Sequence, residues 1–587
     1  MHWNLDYLYP NLESFKRDID YITTKINNLQ TFEGKLGKKE FLTDFLLLRE
    51  DIIKTISKLY LYGCLSSDVD INNEGKKIRK EQVIDLYNKI EEVCAFFDPE
   101  ILEIGESKIL KTISTCPLIN DYNFYFKKLF HNHLHILSKQ EELILVKFNP
   151  IFSISDNLYQ SLSLLDSSNE VVKLSDGTDV AVNLENHSSL IIDAKTSEDR
   201  KNINAAVFKR FALKKNSFTN LYSLIFKNLL AHSESRKYSS LLESELKPQN
   251  IPTSVYTNLI EVAKENTDIL KKYFSIRQRY LNLDGNYTYD RFLSLAKNKM
   301  KYPYTEAKEL FLKSIAHLGD EFIKAQTDGL ADGFVDVSPC DNKTTGAYSF
   351  SVYPLHPYIL LNHDNTDDAL FTLAHEAGHS AHSILSTKNN SFINADYEIF
   401  TAEIASTFNE HVLLDYMLSI SNDKESKIAL IDKALSNIVS TFYRQTIFAA
   451  YELEVAKLVE NDTPLTSTIL SNIFIDLYKV FYDIDLTKEE NGEYIWAYIP
   501  HFFNSPFYVY QYATSFSASL KFFDDVKSLV PNALKNYLSL LKSGGSDFPV
   551  ALVAKAGVDL TNKSSFEAVI KRFNELLLML EIEINKE

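Results

Sequence analysis

The five residues His375-Glu376-Ala377-Gly378-His379 constrain this chain more than any other stretch. Two histidines four positions apart lie on one face of a helix, about a turn apart. Both imidazoles can therefore meet one zinc ion at ~2.0–2.1 Å if the backbone there is helical. Glu376 follows the first ligand, so its carboxylate can approach a water on the metal without binding the metal itself. Zinc lowers the pKa of that water, and the glutamate takes its proton as hydroxide attacks a carbonyl, then returns a proton to the leaving amine. The pattern is the His-Glu-x-x-His of zinc-dependent peptidases.

The flanks suit a helix. Thr366 or Asn365 can cap it, and Asp367 and Asp368 match the positive end of its dipole. Ala369, Leu370, Leu373, Ala374, Ala377 and Ala381 supply a broad apolar face. Gly378 costs a helix interior ~1 kcal/mol relative to alanine. A close approach of another backbone near the metal, or plain helix–helix packing, would account for it.

A catalytic zinc takes three protein ligands and keeps one position open. The next helical stretch, about 398–418, offers Glu398, Glu403 and Glu410. Glu403 is the preferred third ligand, with 23 residues between it and His379. Glu410, seven positions on and nearly on the same face, can orient a ligand histidine or be a surface charge. His382 is read either as such a supporting group or as part of the helix face, and His411 as unrelated. A second histidine cluster, His131-Asn132-His133-Leu134-His135, would align its imidazoles on a strand, but its flanks read helical and no carboxylate base is placed nearby.

The rest of the chain reads mainly α. Glycine (16) and proline (15) are scarce in 587 residues, as long helices with few tight turns require. Helical periodicity covers residues 1–140, resumes near Ser197, and dominates again from Asp367 onward. Val171–Leu174 and Val180–Val182, joined through Ser175-Asp176-Gly177, predict a hairpin near a lobe boundary. A second strand-like patch, 334–361, predicts a small sheet beside the active helix.

The net charge of −17, without a strong basic run, argues against a nucleic-acid partner. Cys64, Cys94, Cys116 and Cys340 lack CxxC spacing and read as reduced thiols. The first residues turn acidic without an apolar core, and runs such as Phe45–Leu48 are too short to span a bilayer, so no membrane association and a cytoplasmic location are expected.

Phe371-Thr372-Leu373-Ala374-His375-Glu376-Ala377-Gly378-His379-Ser380-Ala381-His382-Ser383 closely resembles the oligoendopeptidase F branch of the thimet-oligopeptidase-like (M3) metallopeptidases. Trp3-Asn4-Leu5-Asp6-Tyr7-Leu8-Tyr9-Pro10 is similar to that branch's opening, and Gly346–Ser349 with Pro357–Asn362 to its strands before the motif. The resemblance extends from end to end. It implies one zinc ion held by His375, His379 and Glu403, with Glu376 as general base. It implies a two-lobed helical shell around a deep channel that admits short unstructured peptides, with Tyr358–Asn362 as a strand able to pair with substrate backbone. It also implies a histidine-and-tyrosine segment facing the metal, matched here by His501 to Tyr512, in which His501, Tyr508 and Tyr512 would stabilise the oxyanion. If that segment is helical, Tyr508 and Tyr512 share a face and Tyr510 points away. A packed aromatic helix is the plainer reading of the same residues. The chain then divides into an N-terminal helical region (1–110), a helical and hairpin region of oligopeptidase F N-terminal type (111–196) and a catalytic domain (197–587).

The leading expectation is a zinc endopeptidase of short peptides. A carboxypeptidase of related helical fold would need an anchor for a free terminus, typically an arginine, which the sequence does not locate. A non-catalytic peptide-binding protein would have no need of Glu376.

Overall fold

The computed structural model describes residues 2–138, 140, 141, 144, 145, 154–296 and 300–586. Three long helices open the chain: α1 (Leu12–Gln30), α2 (Lys39–Asp68) and α3 (Glu74–Cys94). A hairpin of β1 (Glu170–Lys173) and β2 (Asp179–Val182) precedes α4 (Ser197–Leu213) and α5 (Lys215–Ser235). Three short strands follow, β3 (Val335–Asp336), β4 (Tyr348–Phe350) and β5 (Tyr358–Leu360). They lead into α6 (Asp367–Asn389) and α7 (Ile399–Ile420). Further on come α8 (Arg444–Glu460), α9 (Tyr510–Lys527) and α10 (Ser564–Ile584), with shorter helices between. Among the described residues the fold is mainly α with two small sheets, in keeping with the sparse glycine and proline.

Two compact units share the chain. The first comprises Met1–His133, Lys299–Ser419 and Phe522–Val558. In α1, Phe15, Ile19, Ile22, Ile26 and Leu29 recur every three or four residues and are all buried, and Asn11 caps the first turn by accepting from Ser14 N. Their side chains join those of α2, α3 and β5 in one core, which ties the N-terminal helices to the sheet beside the active helix. The first residues are fastened there too. Trp3 meets Tyr358 edge-on at 6.0 Å, and Asn4 N donates to Gly333 O at 2.7 Å.

The sheet of this unit has the order β3-β5-β4. β5 runs parallel to β3 and antiparallel to β4, with Ile359 opposite both Val335 and Ser349. Its backbone is therefore engaged on both sides, which corrects the expectation that Tyr358–Asn362 pairs with substrate. The outer edges of the sheet belong to β3 and β4.

The second unit comprises Leu134–Asn298, Ile420–Lys521 and Asp559–Glu587. The hairpin pairs Glu170 with Val182 and Lys173 with Asp179, and Gly177 takes φ +89° in the turn, where a side chain would be strained. Val182 packs with Ile203 and Val207 of α4, so the hairpin is seated on a helix within this unit. Tyr222 of α5 and Tyr451 of α8 stack at 6.1 Å in its interior.

Candidate active site

α6 begins where the sequence predicts. Thr366, not Asn365, is its cap, accepting from Ala369 N at 3.2 Å. Two neighbouring elements press on it closely. A Cβ on Gly378 would lie 2.6 Å from both Ala405 O and Ser406 Cα of α7, so the glycine is the price of backbone contact between the two helices. On the other side a Cβ on Gly329, at the end of helix Asp320–Gly329, would lie 2.8 Å from Ser380 Cβ. Asn409 of α7 completes the clamp by donating to Ala374 O at 2.9 Å, one residue before His375.

This contact sets the histidines of α6 against the carboxylates of α7. His375 Nε2 lies 3.2 Å from His379 Nε2 and 3.3 Å from Glu403 Oε2, and His379 Nε2 lies 3.7 Å from the same oxygen. A tetrahedral ion with ligands at ~2.0–2.1 Å would set its ligand atoms roughly 3.3 Å apart. Two imidazoles and one carboxylate at these separations fit a single zinc-like ion. Among the described residues, this trio is the one group of histidine, cysteine or acid side chains close enough to hold a metal.

The surroundings divide the acids by role. Glu410 Oε1 sits 2.6 Å from His375 Nδ1, the nitrogen turned away from the trio. Burial alone would lower the His375 imidazole, but the paired carboxylates of Glu403 and Glu410 outweigh it and hold its pKa well above the ordinary value. Burial likewise raises Glu403, but contacts with His375 and His379 win and bring it down to about 2. Burial, and then His375, lower His379 to about 4. Glu376 is buried, with one carboxylate oxygen lacking a hydrogen-bond partner. Burial pushes it up to about 7, with Glu403 and Glu410 adding to the rise and His375 and the N–H of Ser349 on β4 opposing it. A carboxylate poised near neutrality is suited to taking and returning protons. Ser349 also bonds Ser380 through its hydroxyl at 2.8 Å, which fixes β4 against α6. Periodicity gave no warning of this Ser349 contact. The only signal was the strand-like Gly346–Ser349 stretch itself.

The remaining candidates sort cleanly. Glu398 pairs with Lys128 at 2.5 Å and is not part of the trio. His382 is buried and stacks on Tyr397 at 3.6 Å, and the Tyr397 hydroxyl lies 3.0 Å from Ser383 Oγ, so His382 supports packing behind the ligand face. His411 is buried against Phe523. The second histidine cluster is no strand. His131 ends a helix and His133–His135 form a 3-10 turn. His133 Nδ1 meets Phe130 O at 2.6 Å and His135 Nδ1 meets Arg236 O at 2.8 Å.

His501, Tyr508 and Tyr512 come together in the second unit. The His501 ring is 6.1 Å from each tyrosine ring, and the tyrosines are 5.4 Å apart. The segment is not one helix. A short helix His501–Asn504 ends, and α9 starts at Tyr510. Between them Phe507 takes φ +58°, which reverses the chain and puts Tyr508 in the connecting loop. Tyr510 is buried against Tyr256 at 5.0 Å, pointing away from this cluster as expected.

Comparison with known proteins converges on one group. The model for peptidase family M3 matches residues 190–572, and that for oligopeptidase F matches residues 100–167. Oligopeptidase PepF of Bacillus subtilis is 31% identical, with 99% of this chain and 86% of the relative covered. An oligoendopeptidase F homolog of Borreliella burgdorferi is 32% identical, with 97% and 96% covered. The crystal structure of oligoendopeptidase-F from Enterococcus faecium superposes with a TM-score of 0.77 at 26% identity, covering 98% of this chain and 99% of that one.

Proposed function

Because the chain belongs to peptidase family M3, we propose that it is a zinc-dependent endopeptidase that cuts internal bonds of short, unstructured peptides. Family membership makes it a metalloendopeptidase and its relatives are named oligopeptidases, so the proposal adds the metal's identity and the roles of individual residues. The observation that carries it is the convergence of His375, His379 and Glu403 at tetrahedral spacing, with Glu376 beside them.

Zinc bound there would supply a Lewis acid that polarises the scissile carbonyl and acidifies an attacking water. Glu376 accepts the water's proton and delivers it to the departing amine. Glu410 holds His375 by its outer nitrogen, fixing which nitrogen faces the ion. His501, Tyr508 and Tyr512 act as donors to the oxyanion that forms on the carbonyl. We assign the peptidase machinery to 197–587. A cytoplasmic location goes with the four free cysteines, and among the described residues no helix is long and apolar enough to cross a membrane.

The test is hydrolysis of an internally quenched peptide blocked at both ends. Cleavage should vanish with a chelator and return with zinc. Glu376→Gln should retain the metal and lose about 100–10,000-fold in kcat. Turnover that survives both changes would sink the mechanism.

A further inference from the structure

α7 has no single apolar face to orient it on α6. Its buried residues include Ile404, Ala405, Ser406, Thr407, Phe408 and Asn409 in unbroken succession, so they point in every direction around the helix. Where α6 meets it, at Ala374 and Gly378, the side chains are small. Small side chains raise shallow ridges, which resist sliding and rotation only weakly. A specific polar contact can then decide how two such helices lie, as a single buried asparagine decides register in coiled coils.

The contact here is a pair of buried amides. Gln326 Nε2 donates to Asn409 Oδ1 at 3.1 Å, and Asn409 Nδ2 donates back to Gln326 Oε1 at 3.0 Å. The second N–H of Asn409 goes to Ala374 O at 2.9 Å. A backbone carbonyl can only accept, so the atom facing it is the amide nitrogen of Asn409, and that choice fixes the Gln326 amide as well. Gln326 is 1% and Asn409 0% exposed, so the bonds form in a low-dielectric interior where they are stronger and costly to leave unmade. Gln326 is carried on helix Asp320–Gly329, which touches α6 at Ser380 through Gly329 and α7 through Phe322, whose ring meets Phe408 edge-on at 6.0 Å.

The bond to Ala374 bears directly on the metal trio. Ala374 precedes His375 and Asn409 precedes Glu410, so the Asn409–Ala374 and Glu410–His375 bonds lie side by side. Further along, Gly378 meets Ala405 and His379 meets Glu403, so the two helices run antiparallel. A slip of one residue is about 1.5 Å along the axis with its accompanying rotation, and it would take Glu403 and Glu410 off the imidazoles together. We propose, on the reading of the trio as the metal centre of a peptidase, that Asn409 is a positioning residue. Its amide sets the register of α7 on α6, and Gln326 holds that amide toward Ala374.

The test is a cycle of full-length leucine variants: Asn409→Leu, Gln326→Leu and both together. Three quantities are compared with wild type. They are melting temperature, zinc affinity by competition with a chromophoric chelator, and the visible spectrum of the cobalt(II)-loaded protein, which reports the ligand arrangement without turnover. Each single change leaves one buried amide without its partner and should lower the melting temperature. In the double variant two apolar side chains of similar shape face one another, which should restore much of it. Zinc affinity should not follow. It should fall about tenfold in Asn409→Leu and stay as low in the double variant, with an altered cobalt spectrum in both. Gln326→Leu keeps the bond to Ala374 and should stay within about threefold of wild type. If the amides served stability alone, zinc affinity would track melting. Zinc affinity that recovers with melting in the double variant, or equals wild type in Asn409→Leu, would overturn the assignment. If the double variant does not fold or does not regain stability, the single variants decide: equal zinc affinity in the two overturns it, and weaker binding in Asn409→Leu upholds it. A wild type that holds zinc but leaves end-blocked peptides uncut sinks the peptidase reading, and the register assignment is still judged by the same zinc measurements. A wild type that binds no zinc ends both.

Discussion

Glu410 of α7 reaches across to α6 and places Oε1 2.6 Å from Nδ1 of His375, while Nε2 of the same ring faces Glu403 at 3.3 Å. The imidazole is held between two carboxylates of one helix, spaced two turns apart. That fixes its orientation before any ion binds.

Removing this support should weaken the metal more than the fold. Glu410→Ala is expected to lower zinc affinity about 10–100-fold, as loss of an outer carboxylate partner does at histidine sites. Glu410→Gln should lose less, since an amide oxygen can still accept from Nδ1. Competition with a chromophoric chelator measures both. Equal zinc affinity in Glu410→Ala and wild type would show that the carboxylate is a bystander.

Gly378 makes a second prediction, on the contact that brings α6 and α7 together. Alanine there gains ~1 kcal/mol of helix propensity, yet its methyl would have to occupy the space of Ala405 O and Ser406 Cα. Backbone cannot move aside as a flexible side chain can, so overpacking of about 1–3 kcal/mol wins. Gly378→Ala should melt at a lower temperature and bind zinc less tightly, because Glu403 is carried on the displaced helix. Unchanged melting and unchanged zinc content together would refute the close-contact explanation.

Those two sites show what the sequence could and could not disclose. His375, Glu376 and His379 were legible because four-residue spacing on a helix is a local rule, and Glu403 because the following helix offered few carboxylates. The same rule failed where tertiary pairing decides. Tyr358–Leu360 reads as a strand, but nothing local says that β3 and β4 flank it and take up both of its edges. Helical spacing brought Tyr508 and Tyr512 to one face, and they do come together, yet through a loop reversal at Phe507.

Glu245 supplies a pH test independent of the metal. Burial in the second unit pushes its carboxyl up to about 7 from an ordinary 4.5. The folded protein therefore keeps a proton that the unfolded chain releases above pH 4.5. Unfolding then releases a proton, so this group's effect on stability becomes increasingly unfavourable as pH rises from 4.5 to 7, and levels off above. Glu245→Gln lacks that dependence. The melting temperature of the variant minus that of the wild type should climb through this window and flatten beyond it. A flat difference would show that the carboxyl is not held protonated.

The loop before Tyr508 carries the last prediction. Phe507 sits at φ +58°, a conformation that side-chain-bearing residues rarely adopt and that persists only when its surroundings hold it. Two things hold it here. Its ring packs between Phe226 and Tyr256, at 6.1 and 6.0 Å, and its N–H donates to Glu452 Oε1 at 2.8 Å. Glu452 is fully buried, and that burial raises its pKa well above the usual carboxylate range. What the loop needs from it is an acceptor oxygen rather than a charge. Glu452→Gln keeps that oxygen at the same reach and should retain kcat within a few-fold. Glu452→Ala leaves the Phe507 N–H unpaired at a cost of about 1–3 kcal/mol, which the strained turn can relieve by relaxing. Tyr508 would then drift from His501 and Tyr512, and in the oxyanion-donor role proposed for it a displacement of about 1 Å is worth about 100-fold in rate. Steady-state kinetics should show kcat falling in Glu452→Ala with zinc content unchanged and KM little altered. Equal losses in the alanine and glutamine variants would mean that the carboxyl acts by more than this bond. Wild-type kcat in Glu452→Ala would mean that the position of Tyr508 does not limit the reaction.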